Sequence, residues 1–246
     1  MTPGPGRPTV SVVIPVLDDA PALEGCLAAL AAQTRAPDEV IVVDNSPGAA
    51  DEATAALARG AGARVVRETR RGVGAASAAG YDEARGTVIA RLDADSRPAP
   101  DWVETALREL ADPRVHAVTG PGTFYDIPGL RGLLAALAYH LPLRAVGWSM
   151  GHPPLWGSNM AIRTCAWRAA SEVVRRDDPL VHDDLDLAFH VGERHHIRWL
   201  LHTDMGISMR PFGSGRSFAR RAWIGARTVL DDLAAERGEP LDAEII

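Results

Sequence analysis

Residues 10–16, VSVVIPV, form a nearly continuous apolar run that is followed by Asp18 and Asp19. A short apolar run of this kind is typical of a strand buried on both faces of a sheet. Similar runs recur at residues 40–43 and 87–92, the segment RVVR at residues 64–67 predicts a short third strand, and Ala- or Leu-rich segments with helical spacing lie between them. This alternation predicts an α/β fold, with a Rossmann-like, mostly parallel central sheet flanked by helices.

The second half of the chain is less regular. Its apolar spacing predicts helices over residues 101–110, 130–141 and 216–233, with Pro142 ending the second of them. Short β-rich runs predict strands over residues 116–119, 197–201 and 205–209. The helix over 130–141 has two interpretations, a core helix or an interfacial helix that touches a lipid-linked molecule.

Composition excludes several classes of protein. The 246 residues are 46% hydrophobic and 24% charged, which is typical of a globular chain and not of a disordered one. The net charge of −6 disfavours a general nucleic-acid binder. All 26 basic residues are arginine, so a Schiff-base lysine and a P-loop lysine are both excluded. Cys26 and Cys165 are too far apart for a CxxC pair, and we expect two reduced, buried thiols.

The N-terminal residues lack the apolar segment of a signal peptide, and no apolar run reaches 18 residues. These features predict a cytoplasmic protein. Peripheral contact with the inner face of a membrane stays open as a second expectation.

Carboxylates follow three of the predicted strands. In open α/β sheets, ligands bind beyond the carboxyl ends of the strands. Residues 15–18, Asp44 and the sequence Asp93-Ala94-Asp95 would meet at this edge. Paired carboxylates offer the oxygen ligands that Mg²⁺ and Mn²⁺ prefer, usually together with substrate phosphates. The alternative is that Asp93 and Asp95 cap a helix or lie in a solvated turn. This would be the preferred interpretation if the D-x-D sequence stood alone, without the preceding buried strand and Asp44.

Two further segments carry candidate site residues. Asp183 and Asp184 begin the run DDLDL, which holds more acids than capping a helix N-terminus requires. In the run WGSN, Asn159 has an amide that can both donate and accept hydrogen bonds, and Trp156 has a ring face on which a ligand can pack. A buried Trp and a turn Asn are the alternative interpretation. The sequence Gly72-Val73-Gly74 does not complete a dinucleotide fingerprint, because Ser77 stands at the third glycine position.

Five segments in this order resemble the inverting glycosyltransferases of family 2, which have the GT-A nucleotide-diphospho-sugar transferase fold. They are VSVVIPVLDD, EVIVVDNS, GVGAASAAGYDEARGTVIARLDADSRPAPDW, WGSNMAIR and HDDLDL, and they extend over about residues 10–210. The resemblance implies one domain over residues 8–236, with a nucleotide-binding half at 8–98 and an acceptor and sugar half at 99–236. It leaves flexible tails at 1–7 and 237–246.

The resemblance also implies roles for individual residues. The end of the first strand would contact the nucleotide base through Pro15, Val16 and Asp18, and Asp44 would bind the base and the ribose. Asp93 would face the ribose and the metal, with Ala94 beside it, and Asp95 would bind Mg²⁺ or Mn²⁺ directly. Asp184 would be the general base, with Asp183 as the first member of the acidic pair, where Glu is more usual in the family. Trp156 and Asn159 would line the sugar site.

This sequence departs from the family at two places. Ser77 and Ala78 stand where Arg-Asn is frequent, so either Arg70 or Arg71 reaches the diphosphate instead, or these are solvated surface arginines. The Gln-x-x-Arg-Trp motif of processive synthases is absent, which favours transfer of a single sugar. A late His, for which His202 is the candidate, can complete the metal site in some members. An arginine-rich arm at residues 210–227 can cover a diphosphate or meet an anionic acceptor, or it is only the basic face of a surface helix.

The prediction is a metal-dependent inverting transferase that moves one sugar from a nucleoside-diphosphate sugar to an acceptor hydroxyl on a small molecule, a glycan or a lipid-linked compound. Two other classes stay open. A nucleotidyltransferase would share the sheet and the acid-bound Mg²⁺, but it requires a basic Gly-rich loop that VIPVLDDAP lacks. A non-catalytic module would bind the nucleotide sugar without turnover.

Overall fold

The computed structural model describes residues 7–48, 51–201, 204–210 and 215–237, without the side chains of 215–218. The predicted flexible tails lie almost entirely outside these residues, and so does His202. The division into two halves stays a prediction.

The elements follow the predicted alternation. The strands are β1 (Val10–Val16), β2 (Glu39–Asp44), β3 (Arg64–Arg67), β4 (Val88–Arg91), β5 (Arg97–Pro98), β6 (Val115–Thr119), β7 (Thr123–Phe124), β8 (Met160–Arg163), β9 (His196–Trp199) and β10 (Met205–Ile207). The helices are α1 (Ala20–Ala31), α2 (Glu52–Gly60), α3 (Val73–Glu83), α4 (Trp102–Glu109), α5 (Gly129–Met150), α6 (Thr164–Ala170), α7 (Asp183–Gly192) and α8 (Gly215–Glu236). A single 3₁₀ turn, Gly157–Asn159, precedes β8.

A seven-stranded sheet in the order β3-β2-β1-β4-β8-β6-β9 forms the centre of the described chain. The first four of these strands are parallel, which confirms the predicted sheet. β8 runs antiparallel to both β4 and β6, while β6 and β9 are parallel. A small second sheet, β5-β10-β7, lies beside it. The fold class is therefore mixed α/β with a mostly parallel central sheet.

The sheet is covered on both faces, which explains the continuous apolar runs. On β1, Val12 and Ile14 enter a core that includes Leu23 and Leu27 of α1. Val13 points to the opposite face, into a core that includes Tyr81 of α3. Because successive side chains alternate between faces, a strand buried on both sides needs apolar residues throughout.

Two sequence predictions are wrong. α5 does not end at Pro142 but continues through it to Met150. Pro142 and Ala138, whose carbonyl loses its helical partner, are both exposed, so water can satisfy that carbonyl. Cys26 is buried as expected, but Cys165 is exposed, because it lies on the outer side of α6. In the part of the chain that the structure describes, no helix combines the length and the apolarity that crossing a bilayer requires.

Candidate active site

A cleft of about 470 Å³ opens at the carboxyl ends of the parallel strands. This volume lies in the range of small-molecule sites. The cleft is built from the loop after β1, the start of α3, the end of β4, α5, the 3₁₀ turn, the start of α7, the end of β10 and α8. Its lining residues include Leu17, Asp19, Val73, Arg91, Asp93, Ala94, Asp95, Tyr139, Trp156, Ser158, His182, Asp183, Asp184, Ser208, Arg220 and Arg221.

Arg91, the last residue of β4, ties the two predicted acidic groups together. Its guanidinium donates to Asp183 at 2.6 Å, to Asp184, and to Asp93 at 3.1 Å. Burial alone would lower the pKa of Arg91, but Asp183 and Asp184 raise it well above its usual value, so the group stays charged. Gly157 makes room for this cation, since a Cβ there would lie 2.3 Å from Arg91 Cζ.

Asp184 is buried at the floor of the cleft, at the start of α7. One carboxylate oxygen accepts from Arg91, and the other accepts from the backbone N–H of Gly157 at 2.7 Å. Burial raises the pKa of Asp184 above its usual value, although Arg91 acts in the opposite direction. A carboxylate has about four lone-pair sites, so Asp184 can still accept a proton from the cleft side.

Asp95 differs from the other acids of the cleft. Among the described residues, no arginine or histidine nitrogen lies within ion-pair distance of its carboxylate. The pKa of Asp95 is raised to about 6. Burial is the largest cause and the negative charge of Asp93 adds to it, while Arg210 acts in the opposite direction. Asp93, by contrast, is held by Arg91 and by the hydroxyl of Ser158. A desolvated carboxylate that forms no direct ion pair fits a divalent metal ligand.

His182 precedes the acidic pair and offers a third ligand type. Ligand atoms of His182, Asp183 and Asp184 lie within 4.8 Å of one another. Its Nδ1 is buried, and no described hydrogen-bond partner reaches it. Arg91 pairs with both acids of this set and also with Asp93, whereas Asp95 has no ion pair among the described residues, so Asp95, with Asp93 beside it, is the better match to a cation.

The loop after β1 reaches the cleft through residues other than those predicted. Pro15 and Val16 are buried in the sheet, and Asp18 is exposed with a positive φ of 49°. Leu17 and Asp19 line the cleft instead. Asp19 also caps α1 through Ala22 N–H and pairs with Arg210 at 2.9 Å.

Asp44 follows β2 as predicted, but its carboxylate is engaged within the protein. It accepts from the N–H groups of Ser46 and Asp51, each at 3.0 Å, and pairs with Arg67 at 2.7 Å. Burial alone would raise the pKa of Asp44, but these hydrogen bonds outweigh it and lower the pKa. The side chain is only 1% exposed and does not line the cleft, so this geometry does not favour a role in binding the base.

The two predicted sugar-binding residues differ in position. Trp156 lines the cleft and packs against Tyr139 and His140, with only 4% of its surface exposed. Asn159 is buried, and both ends of its amide bond the protein: it accepts from Trp102 Nε1 at 2.8 Å and donates to Pro121 O at 2.9 Å. The Asn159 side chain therefore anchors the 3₁₀ turn to α4, and its contact with a sugar stays a prediction.

The arginine-rich arm reaches the cleft in part. Arg220 and Arg221 of α8 line it, whereas Arg71 is exposed and is not among the lining residues. The side chain of Arg216 lies outside the described residues. Sequence reasoning missed Arg91, Tyr139 and His182. Arg91 carried a usable signal, since it is a charged residue inside an otherwise apolar strand, two positions before Asp93.

A sequence profile described as glycosyl transferase family 2 matches residues 11–166, well over half of the chain. The chain belongs to glycosyltransferase family 2. Among curated relatives of this family 2 chain, glycosyltransferase AglE from Haloferax volcanii is 31% identical over 121 residues. That alignment covers 46% of the chain but only 39% of AglE.

Solved structures share the fold of the family 2 chain. The mannosyltransferase PcManGT from Pyrobaculum calidifontis, in complex with GDP-Man and Mn²⁺, has a TM-score of 0.70 at 23% identity. The match covers 95% of this chain and 65% of PcManGT. Glucosyl-3-phosphoglycerate synthase from Mycobacterium tuberculosis, in complex with Mn²⁺, UDP-glucose and phosphoglyceric acid, has a TM-score of 0.61 at 22% identity, with 96% and 81% covered.

Proposed function

We propose that this family 2 chain is a metal-dependent, inverting glycosyltransferase that moves one sugar from a nucleoside-diphosphate sugar to an acceptor hydroxyl. One observation carries the proposal. An acid without a cationic partner, Asp95, and a buried acid with a raised pKa, Asp184, line the same cleft. The first suits a cation that holds a diphosphate, and the second suits proton removal.

The donor would bind on the side of the cleft that Asp95 and Asp93 form. These residues would hold Mg²⁺ or Mn²⁺, which offsets the charge of a diphosphate and of the departing nucleotide. Two fold neighbours were crystallised with Mn²⁺ and a nucleotide sugar, which agrees with this assignment. Arg220 and Arg221 line the same cleft and supply further positive charge for phosphate oxygens.

The nucleotide base would meet the loop after β1. Leu17 lines the cleft with its side chain 51% exposed, so it offers an apolar surface that a base can cover. This role replaces the one predicted for Asp44, whose carboxylate positions the turn into α2. Pro15 and Val16 support that loop from within β1.

Asp184 would act as the general base. The acceptor oxygen attacks the anomeric carbon, the bond from that carbon to the phosphate oxygen breaks, and Asp184 takes the proton of the acceptor hydroxyl. A single displacement of this kind inverts the anomeric centre. Arg91 and Gly157 N–H hold the carboxylate in place, and burial makes it a stronger base than an ordinary aspartate.

The proposal is tested by isothermal titration of the full chain with UDP or GDP, with and without Mn²⁺. We expect one of the two nucleotides to bind more tightly with Mn²⁺. Asp95→Asn should weaken this metal-dependent binding by at least about tenfold. Loss of a residue that only hydrogen-bonds to a metal ligand already lowers metal affinity by about that factor, and loss of a direct ligand should lower it at least as much. Asp101→Asn, an exposed acid outside the cleft, is the matched control.

Two results would overturn the proposal. Equal nucleotide affinity with and without Mn²⁺ would contradict the proposal that a metal ion holds the diphosphate. The second result is tight binding of a UDP-sugar or a GDP-sugar without any release of UDP or GDP, even when acceptor preparations are added. This would instead favour a non-catalytic binding module.

A further inference from the structure

α5 has an unusual distribution of apolar residues. Its buried positions are mostly small, with Gly132, Ala136 and Gly147 beside His140. Its large apolar side chains face outward instead, and their exposed fractions are 69% for Leu130, 54% for Leu133, 55% for Leu134, 46% for Leu137, 64% for Leu141 and 82% for Trp148. A helix that only filled the core would show the opposite distribution.

The exposed apolar residues form one stripe along the helix. With about 100° of rotation per residue, Leu130, Leu133, Leu134, Leu137, Leu141 and Trp148 fall within an arc of roughly 100°. Arg144 falls within the same arc, so the apolar surface is unbroken from Leu130 to Leu141, over about 16 Å, and resumes beyond Arg144 at Trp148, about 27 Å from Leu130. Monomeric soluble domains rarely leave a continuous apolar patch of this extent exposed, and such patches mark sites of protein or membrane contact. We call these six side chains the leucine stripe.

Charge distinguishes between the partners that could cover the leucine stripe. α5 contains Arg131 and Arg144 and no acidic residue. Both arginines are exposed, and the Arg144 guanidinium lies 5.0 Å from the Trp199 ring. A second copy pairing through α5 would bring these arginines together without any acid on α5 to offset them. An anionic surface is complementary to both the stripe and the charge.

We propose that the leucine stripe docks on an anionic lipid bilayer, with α5 lying along the membrane surface. Interfacial helices combine an apolar face, a tryptophan and flanking basic residues in this way. The nearby sequence has the same charge bias, because residues 205–230 contain five arginines and no acid. α8, which carries most of that stretch, packs against α5.

The position of α5 links the docking surface to the active-site cleft. Tyr139 projects from α5 into the cleft, where it packs against Trp156. Arg220 and Arg221 of α8 line the same cleft. Tyr139 lies on the side of α5 opposite the leucine stripe, so docking through α5 would hold the cleft about one helix diameter, roughly 10 Å, from the bilayer surface, within reach of an acceptor hydroxyl carried on a lipid. This consequence for the acceptor rests on the proposed function, whereas the docking itself does not.

Co-sedimentation of the full chain with vesicles tests the docking. The probes are vesicles of phosphatidylcholine alone and vesicles of phosphatidylcholine with phosphatidylglycerol. We expect binding to the anionic vesicles, weakened by salt and much lower on the neutral ones. Leu134→Ser/Leu141→Ser should reduce the partition coefficient at least about tenfold. Val173→Ser/Leu201→Ser, which changes two equally exposed apolar residues elsewhere, should leave it unchanged.

Further measurements keep the outcomes distinct. Arg131→Gln/Arg144→Gln should reduce the preference for anionic vesicles while the Mn²⁺-dependent nucleotide affinity stays as in the unchanged chain. Absence of vesicle binding, or equal binding by Leu134→Ser/Leu141→Ser, would overturn the proposal. So would a dimer in sedimentation velocity that Leu134→Ser/Leu141→Ser dissociates. If the chain without substitutions binds vesicles but binds neither UDP nor GDP, only the proposed function would be overturned.

Discussion

Arg91 shows how a single buried charge organises the cleft. Its guanidinium is 4% exposed and contacts acids from two separate segments, Asp93 after β4 and the pair Asp183 and Asp184 on α7. A buried cation of this kind is tolerated only when its partners satisfy it. The acids in turn depend on it, since without Arg91 they would repel one another.

Replacing Arg91 should therefore be costly. Arg91→Met removes the shared cation and leaves three acids close together, so we expect the free energy of unfolding in urea to fall by about 3–5 kcal/mol. Arg59→Met, which changes an arginine that is 62% exposed and 3.9 Å from Glu52, should change it little. Equal stability of the two variants would show that the acids do not need Arg91.

The sequence predicted which acids line the cleft better than it predicted the hydrogen-bond partners of the candidate side chains. Asp93, Asp95, Asp183 and Asp184 all line the cleft, as the positions after strands and before a helix suggested. Asp44 and Asn159 had the right positions, yet their side chains bond the protein. A spacing pattern indicates where a residue lies along an element, but it does not indicate which hydrogen bonds the folded chain has already satisfied.

Among the secondary-structure elements, the central strands were predicted well because a strand that is buried on both faces of a sheet has a continuous apolar run. β1, β2 and β4 appear as separate, mostly apolar runs, and β3 appears as the short segment RVVR. The antiparallel direction of β8 could not be predicted, since MAIR has the same pattern in either direction. The length of α5 was also missed, because the effect of Pro142 depends on whether solvent reaches the Ala138 carbonyl.

Close packing of α3 on the sheet gives a prediction about Gly80. A Cβ at this position would lie 2.3 Å from Val13 Cγ1 and 2.8 Å from Val43 Cγ2. Gly80→Ala should therefore destabilise the protein by about 1–3 kcal/mol through overpacking, as measured by urea unfolding. Gly60→Ala, at a helical position where a Cβ would meet nothing within 4 Å, should be neutral or slightly stabilising. The reverse order of the two variants would contradict this packing.

For the whole molecule, acids whose pKa values are raised by burial make stability depend on pH, and Asp232 has the highest of these values, above those of Asp95 and Asp184. Asp232 of α8 is buried beside Arg175, with Asp186, His190 and Asp231 nearby. Burial raises the pKa of Asp232 to about 7, although Arg175 lowers it. In the unfolded chain the group titrates near its ordinary value, so the folded state binds an extra proton in the window between the two pKa values.

The contribution of Asp232 to the free energy of unfolding is therefore fully present at low pH and is lost as pH rises towards about 7. Asp232→Asn should flatten this dependence, so its stability should differ less between about pH 5 and pH 7.5 than that of the unchanged chain. Urea unfolding at the two pH values measures the effect. Parallel pH profiles for the two proteins would show that Asp232 does not titrate in this window.

We propose that Asp184 removes the proton of the acceptor in a cleft that binds a metal-held nucleotide sugar. The most direct measurement is the turnover number for release of the nucleoside diphosphate by Asp184→Asn, with Mn²⁺ and the donor that binding identifies. We expect a loss of about 10²–10⁴-fold with unchanged affinity for the nucleotide, and full activity for Asp178→Asn, an acid outside the cleft. Full activity of Asp184→Asn would contradict the assignment.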